Sequence, residues 1–490
     1  MLRSILAATL AILFSSPAPA AWHKASSRHF IIYSEEEPAR LKAYAEKLER
    51  FDSAVRLMRS IKDPPVGDGN RLTVFVVKDV KTVAQLKPVD RDVRSSGFYL
   101  GRGSGSIAIV PRSLPMRSTS HPDVVFQHEY AHHLMFSDLK TPIPMWLVEG
   151  FAEFYSTGNM NADGSVGLGE AVSRSRALLQ RDIDTLSIDD LLAGNIASGS
   201  DRAALYAQGW LLTHFLTFNA DRRGQLDTYL AHVAGGRSSV EAGRLAFGDL
   251  RALGQELRQY VREERFPYLT LPAERIQSAE VTVERLGTGA DAVMPLYMRL
   301  QTRVAASSAE AAAEARAIAA AHPGDPIVAM ALAEAEWVAR NYKASEAAAD
   351  HAIALLPQSA EAHIWKGRAL LSQAEAGVAG VTFSNARGWF NRANRLDPEN
   401  PEPLLYFYRT FQGSGGRPTV NAIAALHYAA QLAPQDHALR LQSARLYLAD
   451  GKPAEARQML AAVAYSPHGG RIAEQARALL QHIGATGGAN

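Results

Sequence analysis

The chain contains no cysteine. That excludes disulfides, thiolate metal sites, a cysteine nucleophile and lipidated cysteine together. It also lacks an excess of either charge: 52 Lys and Arg stand against 50 Asp and Glu, a net charge of +2 over 490 residues. Such a balance gives no electrostatic footprint for nucleic acid. No apolar run approaches the ~18 residues expected of a membrane span, and the mean hydropathy is −0.12. There is no P-loop, no G-x-G-x-x-G opening a helix after a strand, and no nucleophile elbow. Gly101-Arg102-Gly103-Ser104-Gly105 opens no helix and reads as a hairpin turn. What remains, 47% hydrophobic and 21% charged residues, is the composition of a folded chain long enough for about two or three domains.

Met1-Leu2-Arg3 supplies one positive charge, Ile5 to Phe14 an apolar run of ten, and Ala18-Pro19-Ala20 a small-x-small pattern. These features predict a secretory signal peptide over residues 1–20, hence a periplasmic or secreted protein with no transmembrane segment after signal removal. The absence of cysteine is compatible with that location. From Ala21 to Ser120 the pattern is mixed. His29–Tyr33 and Leu72–Val77 read as strands. Pro38–Met58 reads as a helix with Leu41, Tyr44, Leu48, Phe51, Val55 and Met58 on one face. Gly97–Leu100 and Ser106–Val110 flank the glycine-rich turn as a hairpin. The Ser106–Val110 strand is read either as an edge that could hold an extended peptide or as an ordinary sheet strand. Residues 120–266 read as mainly helical, and 267–295 as a connecting region.

Residues 296–485 read as an internal repeat. Prolines end successive amphipathic segments at Pro323, Pro357, Pro398, Pro434 and Pro467, at intervals of 34, 41, 36 and 33. Small residues (Ala331, Ala335, Ala344, Ala352) fall at expected packing positions. The long interval predicts an insertion within Ala374–Ser384. With this period the stretch resembles tetratricopeptide repeats, helix-turn-helix units of about 34 residues that stack into a solenoid.

His128-Glu129-Tyr130-Ala131-His132 matches H-E-x-x-H inside an apolar-periodic segment, with Ser120 and Asp123 as candidate caps. Residues i and i+4 share a helix face, so two imidazoles can face one ion. Zinc accepts imidazole nitrogen and favours four-coordinate geometry. Glu129 is placed to take a proton from water at that ion. A third ligand must come from elsewhere. Pro142 and Pro144 end this helix, and a second helix follows over Met145–Phe154. Glu149 lies 17 residues after His132, room for a turn and an antiparallel return. Glu153, one turn on, is the rival. His133 points about 100° away from His132 and reads as a supporting or surface histidine. Tyr130 and Ala131 read as packing residues.

Trp146-Leu147-Val148-Glu149-Gly150-Phe151-Ala152 resembles the W-L-N-E-G-F-A segment of aminopeptidase-N-like gluzincin metallopeptidases. The wider layout, with its Gly97-Phe98-Tyr99 hairpin before the motif, is similar to the peptidase MA-like proteins of bacterial envelopes. The resemblance implies His128, His132 and Glu149 as zinc ligands and Glu129 as general base. It leaves Glu153 to accept a ring N–H from a ligand histidine. Relatives of this kind use a tyrosine on a later helix to stabilise the oxyanion. Tyr206 is the candidate here, with a core tyrosine as the alternative. The spacing is slightly shorter than in the aminopeptidases and no G-A-M-E-N-type segment precedes the motif, so aminopeptidase specificity is not implied.

The expected fold is therefore α+β. A zincin-type peptidase domain over 21–266, with a small mixed sheet, the H-E-x-x-H helix and a helical subdomain, precedes an all-α tetratricopeptide-like solenoid. The expected function is an exported Zn2+-dependent peptidase acting on a peptide or protein substrate, with the repeats binding a protein partner. The alternatives are a non-catalytic envelope scaffold and a zinc hydrolase of non-peptide amides. His351, His363, His427 and His437 are scattered over different repeat units, so the chemistry is expected wholly in the first half.

Overall fold

The structure, a computed structural model, describes residues 21–88, 97–114, 122–138, 143–171, 185–196, 199–263, 266–304, 307–464 and 470–487. The signal-peptide reading, Ser120 as a cap, and the breakers Pro142 and Pro467 lie outside these residues. Among the described residues, no helix is long and apolar enough to cross a membrane.

The first part runs β1 (His23–Ser26), β2 (Phe30–Ser34), α1 (Pro38–Arg59), β3 (Leu72–Val77), α2 (Val80–Gln85), β4 (Phe98–Leu100), β5 (Ile107–Pro111), α3 (Pro122–Asp138) and α4 (Met145–Ser156). It continues with β6 (Asn159–Met160), β7 (Val166–Leu168), α5 (Ile188–Ala193), α6 (Gly199–Phe218), α7 (Gln225–Ala234), α8 (Ser239–Phe247), α9 (Leu250–Tyr260), β8 (Leu269–Leu271) and β9 (Thr282–Arg285). In α1, Pro38 sits in the first turn, where its missing N–H costs nothing. Leu41, Leu48, Phe51 and Val55 are buried as the periodicity requires.

Among the described residues, six strands form one sheet in the order β4-β5-β3-β2-β1-β9. β2, β3 and β5 are mutually parallel, while β1, β4 and β9 pair antiparallel with their neighbours. Side chains alternate across the sheet. Leu72, Val74, Ala108 and Val110 face the main core with α1, α3 and α4. Phe75, Val77, Ile107 and Ile109 face the other way. Each such buried Leu, Val, Ile or Phe side chain contributes about 1.5–3 kcal/mol. The expected hairpin is present, with Phe98 opposite Ile109 and Leu100 opposite Ile107. It corrects one option: β5 lies between β3 and β4 and is paired on both sides, so it is no free edge. Among the described residues β4 takes the terminal place.

Residues 267–295, read from the sequence as a connector, supply strands to both sheets. Leu269 pairs with Leu168 in a three-stranded sheet, β6-β7-β8, and Val283 pairs with Ala25 in the large one.

Eleven further helices are described: α10 (Thr288–Thr302), α11 (Ser308–Ala321), α12 (Pro326–Val338), α13 (Tyr342–Leu355), α14 (Ala360–Glu375), α15 (Phe383–Leu396), α16 (Pro401–Gly413), α17 (Val420–Leu432), α18 (His437–Ala449), α19 (Pro453–Ala464) and α20 (Gly470–Gly487). Successive helices pack on one another to make a tetratricopeptide-like helical solenoid. The repeat punctuation has a physical basis. Two residues after each of Pro323, Pro357, Pro398 and Pro434, the residues Asp325, Ser359, Asn400 and Asp436 cap the next helix through their side-chain oxygens. Such a cap is worth about 1 kcal/mol. The insertion is where it was expected: α14 has 16 residues against 13 in α12, and the turn after it runs 376–382 against 339–341. Ala331, Ala335 and Ala352 are buried, but Ala344 is exposed. Ser345, one residue on, takes the packing position, its hydroxyl donating to the Ala333 carbonyl at 2.7 Å.

The solenoid closes against the first part. Met294 and Met298 of α10 cover the second face of the large sheet. The Gly69 N–H donates to Asp397 Oδ2 at 2.8 Å and the Gly103 N–H to Asp436 Oδ2 at 2.8 Å. The Arg102 guanidinium donates to the Gln301 carbonyl at 2.8 Å. A Cβ on Gly69 would stand 1.9 Å from the Asn400 side chain, so any larger residue here would have to displace Asn400.

Candidate metal centre

α3 carries Asp123 in its first turn, at the positive end of the helix dipole, where it also pairs with Lys47. Phe126, Tyr130, Ala131 and Leu134 bury one side of the helix. Tyr130 packs as expected, its ring stacked on Phe126. Its hydroxyl also donates to buried Asp52 Oδ1 on α1 at 2.7 Å. Asp52 is held in turn by Arg56, one helical turn on, at 2.8 and 2.9 Å. That i, i+4 pair was visible in the sequence; its reach to α3 was not.

α4 is buried on every side from Trp146 to Ser156. It crosses α6 at Gly150 and Gly209. A Cβ on Gly150 would stand 2.3 Å from the Gly209 carbonyl oxygen. The glycine after Glu149 thus lets α4 sit hard against α6, and Glu149 is presented toward α3. The resulting triangle is tight. His132 Nε2 lies 3.2 Å from His128 Nε2. Glu149 Oε2 lies 3.4 Å from His128 Nε2 and 3.5 Å from His132 Nε2. Ligands about 2.0–2.1 Å from a tetrahedral zinc stand roughly 3.3–3.4 Å from one another. Glu149 is 1% exposed, and neither of its carboxylate oxygens makes a well-formed hydrogen bond. Buried carboxylate oxygens in that condition are costly unless a cation answers them. The donor set therefore fits zinc.

The charges respond accordingly. Burial alone would lower His128, but the Glu149 and Glu153 carboxylates outweigh it and push the imidazole up to about 10. Burial alone would raise the Glu149 carboxyl, but His132 and His128 hold it well below the usual carboxylate range. Glu153 Oε1 lies 3.3 Å from His128 Nδ1. It thus faces the back of a candidate ligand, while Glu149 faces the front. The ring of Tyr206, on α6, lies 5.8 Å from that of His128. Burial, with Glu149, Glu129 and Glu153 close by, pushes its hydroxyl pKa well up. Glu129 is half-buried beside the triangle. His133 stands outside it: Tyr99 of β4 hydrogen-bonds its Nδ1 at 2.8 Å, Tyr130 stacks on its ring, and burial lowers its pKa to about 3.

A second buried group, His29, Glu49 and Asp52, also brings possible ligand atoms together. Here every member is already answered. His29 Nδ1 lies 2.7 Å from Glu49 and its Nε2 lies 2.9 Å from Asp63, so the ring is best described as an imidazolium held between carboxylates. Burial alone would lower the His29 pKa, but the Glu49 hydrogen bond and the Asp52 charge raise it. The sequence reading missed this group because residues 29, 49, 52 and 63 converge only once β2 and α1 have packed.

No protein-family model matches the chain, and no curated protein matches it. Among solved structures, it is similar to a thermophilic TPR protein of Thermus thermophilus, with 19% identity, 38% of this chain and 98% of that one covered, and a TM-score of 0.32. It is also similar to MamA from Desulfovibrio magneticus RS-1, with 15% identity, 40% and 97% covered, and a TM-score of 0.29. Yeast Tom70 shares 11% identity over 62% of this chain and 65% of its own, with a TM-score of 0.32. At TM-scores this low, the assignment of the repeats rests on the helix packing itself.

Proposed function

We propose that the chain is a zinc-dependent peptidase of gluzincin type, exported by its N-terminal signal. The observation that carries this reading is the His128–His132–Glu149 triangle, with sides of 3.2, 3.4 and 3.5 Å, next to Glu129 on the same helix. These three residues would hold the metal. When bound, zinc supplies Lewis acidity, polarising a carbonyl and lowering the pKa of water toward about 7. Glu129 takes a proton from the attacking water and passes it to the leaving amine. Tyr206 keeps its hydroxyl proton and donates to the oxyanion as it develops. Glu153 orients His128 through Nδ1. β4, the terminal strand of the sheet among the described residues, is tied to α3 through Tyr99 and His133. An extended peptide pairing with β4 would lie beside the triangle.

The helical-repeat half supports a second reading, a scaffold that binds without cleaving. One substitution separates the two. Glu129→Ala is expected to keep its zinc and lose peptide hydrolysis by several orders of magnitude. A zinc-loaded wild type inert on a peptide library, with cells unaffected by Glu129→Ala, would favour the scaffold.

A further inference from the structure

The turn between α17 and α18 carries the solenoid to the walls of the metal centre. Three consecutive residues there touch the hairpin and the motif helix. Gln435, 5% exposed, donates from Nε2 to Ser106 Oγ at 3.1 Å and to the Arg102 carbonyl at 3.5 Å. Asp436 accepts the Gly103 N–H. A Cβ on Gly101 would stand 2.9 Å from the Gln435 carbonyl oxygen, so the hairpin turn and the solenoid turn approach closely. His437 opens α18, and its ring meets that of Phe136 on α3 edge-on at 5.6 Å. The Phe136 ring in turn stacks on His132, with centroids 5.9 Å apart and planes 14° apart. One short stretch of the solenoid therefore grips the β4–β5 hairpin with two residues and bears on α3 with the third.

Inside the hairpin the contact continues toward the motif. Ser106 Oγ lies 3.3 Å from the Tyr99 hydroxyl oxygen, which lies 2.8 Å from His133 Nδ1. His133 directly follows the candidate ligand His132. An unbroken line of polar atoms thus runs from Gln435 through Ser106 and Tyr99 to α3. Burial keeps the His133 ring neutral and the Tyr99 hydroxyl protonated, so the line transmits position and not charge.

We propose that Gln435 and His437 are positioning residues of the metal centre: they fix β4, the strand that would take an extended peptide, against α3, which carries two candidate ligands and the candidate base. The proposal rests on the peptidase reading and moves part of the working site into the solenoid. β4 has only three residues, and among the described residues it pairs with β5 alone. Its place relative to α3 is held by Tyr99 within the strand and by the hairpin turn at its end. A peptide seated on it must bring its backbone to the metal within about 0.5 Å to react. Loosening either hold costs that alignment without touching the metal ligands.

The test reads binding and not turnover. The zinc-loaded mature chain is titrated with acetohydroxamate, which engages the metal alone, and with a tripeptide hydroxamate, which engages the metal and β4. Wild type should prefer the tripeptide hydroxamate. Gln435→Ala and Tyr99→Phe should each cut that preference about three- to tenfold, the worth of one hydrogen bond, and leave acetohydroxamate affinity and zinc content unchanged. Both variants break the same line, so the double variant should lose little more than the worse single one. His437→Ala should act in the same direction. Tyr99→Phe keeps the ring and removes one oxygen, so it reads the line even where Gln435→Ala unsettles the join, which a thermal melt checks. A preference lost in these variants of a chain that hydrolyses no peptide would sink the peptidase reading and uphold the positioning role. A wild type without the preference, an unchanged preference in the variants, or equal weakening of both hydroxamates would each overturn the proposal.

Discussion

One continuous core, running from Ala25 to Val281 and joined by Ala462 of α19, ties the sheets to the surrounding helices, whereas from Val293 onward most other apolar groups fall into separate clusters of neighbouring helices. The first region depends on pairings distant in sequence, such as Ala25 with Val283. The second depends on neighbours. A solenoid of that kind can lose a terminal unit and keep the rest, while a sheet that loses an interior or bordering partner cannot. Yet the two are not separable modules. β9 and α10 sit at the join and belong structurally to both.

The harshest way to break this comparison is truncation. A chain ending near Arg265 loses β8, β9 and α10 and exposes Phe75, Ile107 and Ile109. It is expected to aggregate or to show no cooperative unfolding. A chain ending at Ala464 loses only α20 and should keep a cooperative transition at a modestly lower Tm. A soluble, zinc-binding 21–265 fragment would show that the first region stands alone after all, as the sequence reading expected.

Next in size is His29. His29→Ala leaves buried Glu49 without its cation, while Asp63 keeps its ion pair with Arg28, with a loss of about 3–5 kcal/mol in urea unfolding. The pH dependence has a definite sign. The folded pKa of His29 is raised, so its contribution is complete below the unfolded value of about 6.5. It fades as pH rises through the folded value. Glu49, lowered by the same contact despite its burial, acts at the other end, losing its contribution as pH falls through its folded pKa. Wild-type stability should decline on both sides of this window, and the alkaline decline should flatten in His29→Ala.

Gly69→Val probes the join. Its side chain would displace Asn400, the cap of α16, for an expected loss of about 1–3 kcal/mol. Zinc affinity should not change. Smallest in stability is Glu153→Gln, which should weaken zinc about 10–100-fold while leaving the melt nearly untouched.

The same contrast governs what was legible from the residues. Helix i, i+4 geometry made His128 and His132 readable, and the proline-then-cap spacing made the repeats readable, because both signals are local. The sheet order was not, since strands β1 and β9 lie some 260 residues apart. Gly101, Gly103 and Gly105 looked like turn punctuation. The second role of Gly101 and Gly103, letting the solenoid approach, exists only across the join. The Glu149 assignment lay between these cases: its spacing left Glu153 as a rival, and the close crossing at Gly150 is what turns Glu149 toward the two histidines.

Zinc content at equilibrium, measured on wild type, His132→Ala, Glu149→Ala and Glu153→Ala, tests the central claim most directly. The account predicts about one zinc per wild-type chain, none in His132→Ala or Glu149→Ala, and weakened but saturable binding in Glu153→Ala. Full occupancy in Glu149→Ala with loss in Glu153→Ala would contradict it.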